Sequence, residues 1–248
     1  MTRTAQPSLS RRLLAESVGT AALVAIVVGS GIAAQQLSPG DVGLQLLENA
    51  LATAFGLTVL ILVFGPVSGA HFNPVVSLVD WWVGRKRGRG LPLAEVGGYA
   101  AAQCAGGILG ALLANLMFEV PTAVSTTERA SGAHLIAEVV ATAGLVTVIL
   151  ALARTGRGVL AAPAVGAYIG AAYWFTSSTS FANPAVTLGR VFSDTFAGIA
   201  PGSVAPFVAA QVVGGALGAG LSLALYPDAG EAADDVVVPG LKGDDENV

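Results

Sequence analysis

Long apolar stretches without charged side chains alternate along this chain with short polar or basic segments. A helix needs about 20 residues to cross the hydrocarbon core of a bilayer. Four windows of about that length or more contain no charged residue: Asn49–Val67, Val96–Phe118, Val159–Gly189 and Thr195–Pro227. The pattern predicts six spanning helices, at about Leu13–Ala34, Val42–Phe64, Leu93–Phe118, Gly132–Ala153, Val159–Ser177 and Ser203–Tyr226.

Two further apolar runs are too short to cross a membrane. Pro74–Val83 has about ten residues, which at about 1.5 Å per residue is half of a hydrocarbon core about 30 Å thick. A second run extends from Pro184 to about Phe192. Each run begins at an Asn-Pro pair, where Asn is a good N-cap and Pro fits the first helical position. The two runs therefore predict re-entrant half-helices.

The order of these elements occurs twice. Leu14-Ala15-Glu16 matches Ile136-Ala137-Glu138, and the Ala-Ala-Gln segment at 101–103 matches the one at 209–211. Because each unit has three spans, the second copy is inserted upside down. We predict one channel-like domain over residues 11–227, with repeats at about 11–118 and 132–227. Inverted repeats place their functional site near the membrane midplane, where broken helices meet.

The two Asn-Pro segments predict a pore between the repeats. Two half-helix N-termini meeting at the midplane present positive ends that repel cations and protons. Asn73 and Asn183 can cap those ends and offer amide donors to a polar solute. The irregular stretches Gly69–Phe72 and Ser180–Ala182 leave carbonyls unpaired, which survive at membrane depth only where they line a wet cavity. This combination favours a pore for small neutral solutes.

Composition and charge place the chain in its membrane. It is 54% hydrophobic and 11% charged, whereas a soluble domain usually carries about a quarter charged residues. Most basic residues fall on one side of the predicted spans, which by the positive-inside rule puts both termini in the cytoplasm. Residues 1–10 form a polar tail, and residues 228–248 an acidic one that we expect to be disordered. The single Cys104 offers no metal cluster.

The motifs resemble those of the aquaporin and aquaglyceroporin family of membrane channels, over about Arg12 to Tyr226. They are the Ser-Gly-x-His-Phe-Asn-Pro box at 68–74, the Asn-Pro-Ala box at 183–185, Ala-Glu with Gly-Thr at 15–20, and Ala-Phe-Gly-Leu-Thr at 54–58. The resemblance implies an all-α membrane protein with an inverted repeat, six transmembrane helices and two half-helices. It also implies a pore in each subunit and a homotetramer.

The same resemblance assigns roles to individual residues. It implies a pore motif of Asn73, Pro74, Val75, Asn183, Pro184 and Ala185. It implies pore-lining loops containing Gly69, Ala70, His71, Phe181 and Ala182. Glu16 and Glu138 are charged residues inside spans, and the resemblance makes them supports of the two loops. Proton coupling through these two carboxylates is the alternative.

The outer constriction departs from the family pattern. Family members generally carry Arg directly after the second Asn-Pro-Ala box, and this chain has Val186. Carrying the rest of the filter over by position gives Phe55, Ala171 and Ser180. This filter would be uncharged, wide and less polar than a water-only filter. Arg190 lies one turn beyond Val186, and we interpret it as an interfacial anchor, with a guard of the outer vestibule as the alternative.

The sequence thus predicts a passive channel in a cytoplasmic (inner) membrane for glycerol-like polyols, urea and some water. Arsenous acid is a further solute by resemblance, because some bacterial relatives without the filter Arg are associated with metalloid resistance. We expect no enzyme chemistry, no cofactor, no bound metal and no nucleic-acid partner. The alternatives are a water-selective channel closed by Arg190 or Tyr173, a non-conducting structural membrane protein, and a proton-coupled transporter.

Overall fold

The computed structural model describes residues 7–227, and within them every regular element is a helix. The predicted acidic tail, residues 228–248, and residues 1–6 of the polar tail lie outside the described residues. The α-helices are α1 Leu9–Leu37, α2 Val42–Ser68, α3 Pro74–Gly84, α4 Leu93–Met117, α5 Gly132–Arg154, α6 Ala161–Phe175, α7 Pro184–Gly189 and α8 Pro201–Leu225.

Six of these segments are long and apolar enough to cross a membrane, as the hydrophobic pattern predicted. α6 does so together with the 3₁₀ turn Gly158–Leu160 that precedes it. The second half-helix is shorter than predicted, because α7 ends at Gly189 and continues as the 3₁₀ turn Arg190–Phe192. The predicted fold class, six spanning helices with two half-helices, is confirmed.

The two half-helices begin at capped Asn-Pro pairs. Asn73 Oδ1 accepts a hydrogen bond from Val75 N at 2.9 Å, and Asn183 Oδ1 accepts one from Ala185 N at 2.9 Å. Pro occupies the first turn of both helices, where its missing N–H costs nothing. Both half-helices contact α4 and α8, so they meet between the two halves of the molecule.

Close helix packing in both halves depends on paired glycines. Two glycines on α4 face α1, and two on α8 face α5; they are Gly106, Gly110, Gly214 and Gly218. A Cβ at Gly106 would overlap the carbonyl of Ser17, and one at Gly218 would overlap that of Ala143. Small residues one turn apart allow such close backbone contact between membrane helices. Across these two contacts, Gln103 of α4 donates to Glu16 of α1, and Gln211 of α8 donates to Glu138 of α5.

Large apolar side chains cover the outside of the bundle. Leu14, Leu51, Leu62, Leu109 and Leu217 are all exposed in the single chain. A soluble monomer rarely exposes contiguous apolar surface on this scale, whereas a lipid-facing or subunit-facing surface requires it. Several polar residues of the spans are instead buried inside the bundle, among them Glu16, Gln103, Glu138 and Gln211.

Candidate functional site

Glu16 on α1 holds the first pore loop, residues 69–73. Its carboxylate is fully buried and accepts hydrogen bonds from Ser68 Oγ at 2.6 Å and from the backbone N–H groups of His71 and Phe72 at 3.0 and 2.7 Å. Gln103 Nε2 on α4 donates a fourth bond at 2.7 Å. A buried charge is tolerated when donors surround it, and these contacts are those of a loop support.

Glu138 on α5 holds the second pore loop, residues 179–183, in the same way. It accepts from Ser178 Oγ at 2.7 Å, from the N–H groups of Phe181 and Ala182 at 2.9 and 2.8 Å, and from Gln211 Nε2 at 2.6 Å. Neither glutamate lines the central cavity. A proton carrier would need contact with the transport path, so this placement disfavours proton coupling.

The carboxylates hold backbone that is strained. Each loop contains three residues with left-handed φ: Gly69, Ala70 and Phe72 in the first, and Thr179, Ser180 and Ala182 in the second. Only one of the six is glycine, and positive φ is costly for the other residue types. Such strain persists only where the surroundings over-determine the conformation, which the glutamate hydrogen bonds do here.

The two loops are joined by reciprocal hydrogen bonds. Asn73 Nδ2 donates to the carbonyl of Ala182, and Asn183 Nδ2 donates to the carbonyl of Phe72, both at 2.7 Å. The expectation of wholly unpaired loop carbonyls is therefore wrong for these two. The carbonyls of Gly69, Ala70, His71, Ser180 and Phe181 accept no hydrogen bond from residues 7–227. Each amide also keeps a second N–H for a solute.

A cavity passes between the loops. Much of its wall is aliphatic: Leu23, Val27, Leu57, Ile61, Val76, Leu145, Ile149, Val165 and Ile169. Polar residues also line it: Thr53, His71, Asn73, Tyr173, Ser180, Asn183 and Arg190. A passage with apolar and hydrogen-bonding walls suits a solute that carries both CH groups and hydroxyls.

Among the loop residues assigned from sequence, Ala70, His71, Phe181 and Ala182 line the cavity, and Gly69 does not. Among the motif residues the two asparagines line it, while Pro74, Val75, Pro184 and Ala185 do not. Val75 packs against α8 at Gly215, and the carbonyl of Ala185 approaches Gly107 of α4. These residues hold the half-helix starts in place.

Two of the four residues assigned to the filter line the cavity, and the assignment of the other two is wrong. Ser180 and Val186 line it, and the buried Ser180 hydroxyl has no hydrogen-bond partner among residues 7–227. Phe55 is 68% exposed on the outside of α2, and Ala171 is exposed on α6.

Helix rotation explains both errors. Thr53 and Tyr173 take the places expected for Phe55 and Ala171, each two positions away along its helix. Two positions turn a side chain by about 200°, from the cavity to the lipid side. The hydroxyls of Thr53 and Tyr173 lie 3.1 Å apart, so a hydrogen bond can join α2 and α6 at the wall of the cavity.

Arg190 also corrects the sequence interpretation. It is 2% exposed and lines the cavity, so it is not an interfacial anchor. At the other loop, His71 lines the cavity and its Nδ1 lies 3.0 Å from Ser77 Oγ. The cavity thus has an imidazole beside the first half-helix and a guanidinium beside the second.

The chain is similar to known channels in sequence and in fold. The profile of the family described as Major intrinsic protein matches residues 3–180. Aquaglyceroporin AqpS of Rhizobium meliloti is 50% identical over 208 residues, covering 83% of this chain and 86% of that protein. The glycerol uptake facilitator protein of Pseudomonas aeruginosa is 30% identical over 248 residues, covering 86% of this chain and 88% of that protein.

A solved structure shares the fold. The X-ray structure of the aquaglyceroporin from Plasmodium falciparum matches with a TM-score of 0.64 at 20% identity, covering 91% of this chain and all of that one. The inverted pore loops, the amphipathic cavity and the family match agree with one another. The chain therefore belongs to the major intrinsic protein family of aquaporins and aquaglyceroporins, and it is a membrane channel for small solutes, not an enzyme.

Proposed function

We propose that this channel passes glycerol-like polyols and urea, with some water, down their concentration gradients. The observation that carries the proposal is the pairing of aliphatic and hydrogen-bonding walls along one cavity. A polyol presents its CH groups to the aliphatic wall and its hydroxyls to the polar residues. Water alone gains no hydrogen bonds from the aliphatic wall, so such a wall favours the larger solute.

The matched relatives support the same solute class. One carries the name aquaglyceroporin and another the name glycerol uptake facilitator protein. Arsenous acid is neutral, trihydroxylated and about as large as glycerol, so the same walls accommodate it. It is the second solute to test.

The roles of the pore residues are part of the proposal. The amides of Asn73 and Asn183 donate to the passing solute with the N–H that the loop carbonyls leave free. Ser180 offers its unpaired hydroxyl, and Val186 supplies an apolar wall beside it. Glu16 and Glu138 hold the loops and do not touch the solute.

We further propose a homotetramer in the inner membrane with both termini in the cytoplasm. Six spans return the chain to the side where it began. The basic residues near Arg11 and Arg85 lie on that side, as the positive-inside rule requires of the cytoplasm. The exposed leucines of the bundle surface give subunits and lipid an apolar surface to contact.

A water-selective channel is the second candidate, and one observation favours it. Tyr173 and Arg190 both line the cavity, so the passage is more polar than the sequence predicted. The two candidates differ in glycerol flux. Stopped-flow light scattering on proteoliposomes compares osmotic water efflux with glycerol influx, each against empty liposomes.

Two leucines on one helix provide a matched pair for that experiment. Leu57 of α2 lines the cavity, whereas Leu51 of α2 faces outward. We expect fast glycerol influx in the unsubstituted protein and in Leu51→Trp, and influx at the empty-liposome rate in Leu57→Trp. Fast water flux without glycerol influx would establish the water-selective candidate instead.

The same vesicles test the remaining classes. A passive channel equilibrates glycerol and stops, whereas a proton-coupled transporter accumulates it when a pH gradient is applied. A non-conducting structural protein would give the empty-liposome rate for water and glycerol alike. Either result would overturn the proposal.

A further inference from the structure

Arg190 lies where the filter was expected to be uncharged. It follows Val186 by four residues, so both side chains leave the same face of the second half-helix and its 3₁₀ extension. Both line the cavity. The guanidinium missing directly after Ala185 is therefore present one helical turn further along.

Two contacts fix this side chain. Its Nε donates to the carbonyl of Ala197, in the loop that leads to α8. Its guanidinium carbon lies 3.5 Å from the centre of the Phe181 ring, within the range of a strong cation–π contact. Phe181 is itself held by Glu138 and packs edge-on against Phe207 of α8. The guanidinium is thus held between the carbonyl of Ala197 and the ring of Phe181.

The terminal nitrogens of this guanidinium have no partner in the described part of the protein. A guanidinium has five N–H donors, and only the one on Nε is used. Arg190 forms no ion pair with any acidic residue between positions 7 and 227. Buried donors are almost always satisfied, so water or solute in the cavity must accept from these nitrogens. Ser180 lines the same cavity, and its buried hydroxyl has no hydrogen-bond partner among residues 7–227.

Arg129 shows how a purely structural arginine differs at nearly the same place. Its guanidinium carbon also lies near Phe181, at 5.3 Å from the ring centre. However, its Nε and Nη2 donate to the carbonyls of Gly198 and Phe196, at 2.7 and 3.0 Å, and it does not line the cavity. Arg129 braces a loop, whereas Arg190 keeps its terminal donors for the passage.

We propose that Arg190 is the specificity-determining residue at the second-loop end of the cavity. Its terminal N–H groups donate to a hydroxyl or carbonyl oxygen of the passing solute, and its charge repels cations. With Phe181 behind it, the planar guanidinium narrows the passage, while Val186 leaves the neighbouring wall apolar. The solute part of this assignment rests on the proposed function, and the cation barrier does not.

The test replaces Arg190 in two ways. Arg190→Met removes the charge and the donors but keeps a long side chain. Arg190→Lys keeps the positive charge. However, its ammonium group is not planar, so it cannot stack on Phe181 and present the fixed set of N–H donors that a guanidinium has. Arg157→Met, at an exposed loop arginine, is the matched control. Water, glycerol and erythritol fluxes are measured in proteoliposomes, and proton leak with an internal pH dye.

We expect the unsubstituted protein and Arg157→Met to admit glycerol much faster than erythritol and to hold a proton gradient. Arg190→Met should raise the erythritol-to-glycerol ratio about tenfold, as losing a charge-assisted hydrogen bond and a wall of the constriction predicts, and should leak protons. Arg190→Lys should raise the erythritol ratio but retain the proton barrier. Size-exclusion profiles establish that each variant is folded.

Three results separate the possible failures. The assignment would be overturned if both variants fold, if neither changes the erythritol-to-glycerol ratio, and if Arg190→Met holds a proton gradient as well as the unsubstituted protein does. A parallel fall of every flux would also overturn it, because that is the effect of a structural brace. Absence of glycerol flux in the unsubstituted protein would overturn the proposed function, and the proton leak of Arg190→Met would still decide the role of Arg190. If Arg190→Met does not fold, Arg190→Lys decides through erythritol.

Discussion

The two pore loops are held by the same kinds of hydrogen bond but present different side chains to the passage. In each, a buried glutamate accepts hydrogen bonds from a serine hydroxyl, from two loop N–H groups and from a glutamine on the last spanning helix of the same repeat, α4 or α8. In each, an asparagine caps its half-helix and reaches a carbonyl of the other loop. We call this arrangement of two glutamates and two asparagines the frame. Each repeat supplies half of it, and the bonds from each asparagine to the opposite loop require both halves.

The side chains that face the passage are not repeated. The first loop presents His71, tied to Ser77, whereas the second presents Phe181 with Arg190 stacked on it. The hydroxyls of Thr53 on α2 and Tyr173 on α6 lie within hydrogen-bond distance at the wall of the same cavity. We therefore propose that the repeated contacts carry stability, while the unrepeated ones set which solutes pass.

The largest effect should come from breaking the frame. In Glu138→Leu the N–H groups of Phe181 and Ala182 lose their acceptor inside strained, buried backbone. Each unsatisfied buried donor costs about 1–3 kcal/mol, a large share of the 5–15 kcal/mol that stabilises a typical protein. We expect little or no monodisperse protein in detergent, and the same result for Glu16→Leu.

An exposed acidic residue and a conservative variant provide the controls for this loss. Glu119→Leu, at an exposed acidic residue with no described side-chain partner, should express and melt like the unsubstituted protein. Glu138→Gln keeps one acceptor oxygen and should lie between the extremes. If Glu16→Leu were tolerated and Glu138→Leu were not, the two supports would not be equivalent, and the frame would be carried by the second loop alone.

The next effect should appear in selectivity. Val186→Arg adds a second guanidinium one turn from Arg190, on the apolar wall that the second loop leaves open. The added charge and bulk should lower glycerol flux by about tenfold or more, with water flux less affected, because water fits a narrower polar passage. Stopped-flow scattering gives both rates.

Val186→Ile controls for volume, since it adds only one methylene group to the same wall. It should lower glycerol flux less than Val186→Arg does. An unchanged glycerol-to-water ratio in Val186→Arg would mean that position 186 does not shape the passage. In that case Arg190 and Tyr173 alone would set the constriction.

The frame could be predicted from sequence because its signals are local. Asn before Pro marks a cap, a short apolar run marks a half-helix, and Glu16 inside an apolar span demands donors. The reciprocal bonds from Asn73 and Asn183 to the opposite loop could not be predicted, because they depend on how two distant segments are brought together.

The filter residues were harder to predict from sequence, because they depend on how each helix is rotated about its axis. Position along α2 placed Phe55 in the filter, yet Thr53 faces the cavity and Phe55 the outside. For Arg190, the four-residue spacing predicted that it shares a helix face with Val186. The spacing could not predict whether that face meets the cavity or the membrane surface. Tertiary packing of the second half-helix on α4 and α8 decides that question.

The smallest expected effect concerns the loops beyond the half-helices, where the two halves also differ. On the first side, buried Asp80 accepts from Leu91 N at 2.6 Å. On the second, exposed Asp194 accepts from Thr126 N at 2.9 Å. The backbone hydrogen bond from Thr126 lowers the pKa of Asp194 below its ordinary value of 3.8. Its ionised form is therefore favoured in the folded protein.

A lowered pKa gives stability that is complete above the ordinary value and is lost as the pH falls through the lowered one. Asp194→Asn should therefore reduce the thermal midpoint slightly at pH 7, and the difference from the unsubstituted protein should shrink at pH 3. Because this carboxylate is solvent-exposed, screening keeps the effect small. Thermal unfolding of both proteins in detergent at the two pH values, with Glu119→Gln as the control, measures it. A difference that does not shrink as the pH is lowered would show that Asp194 acts through its shape and not through its charge.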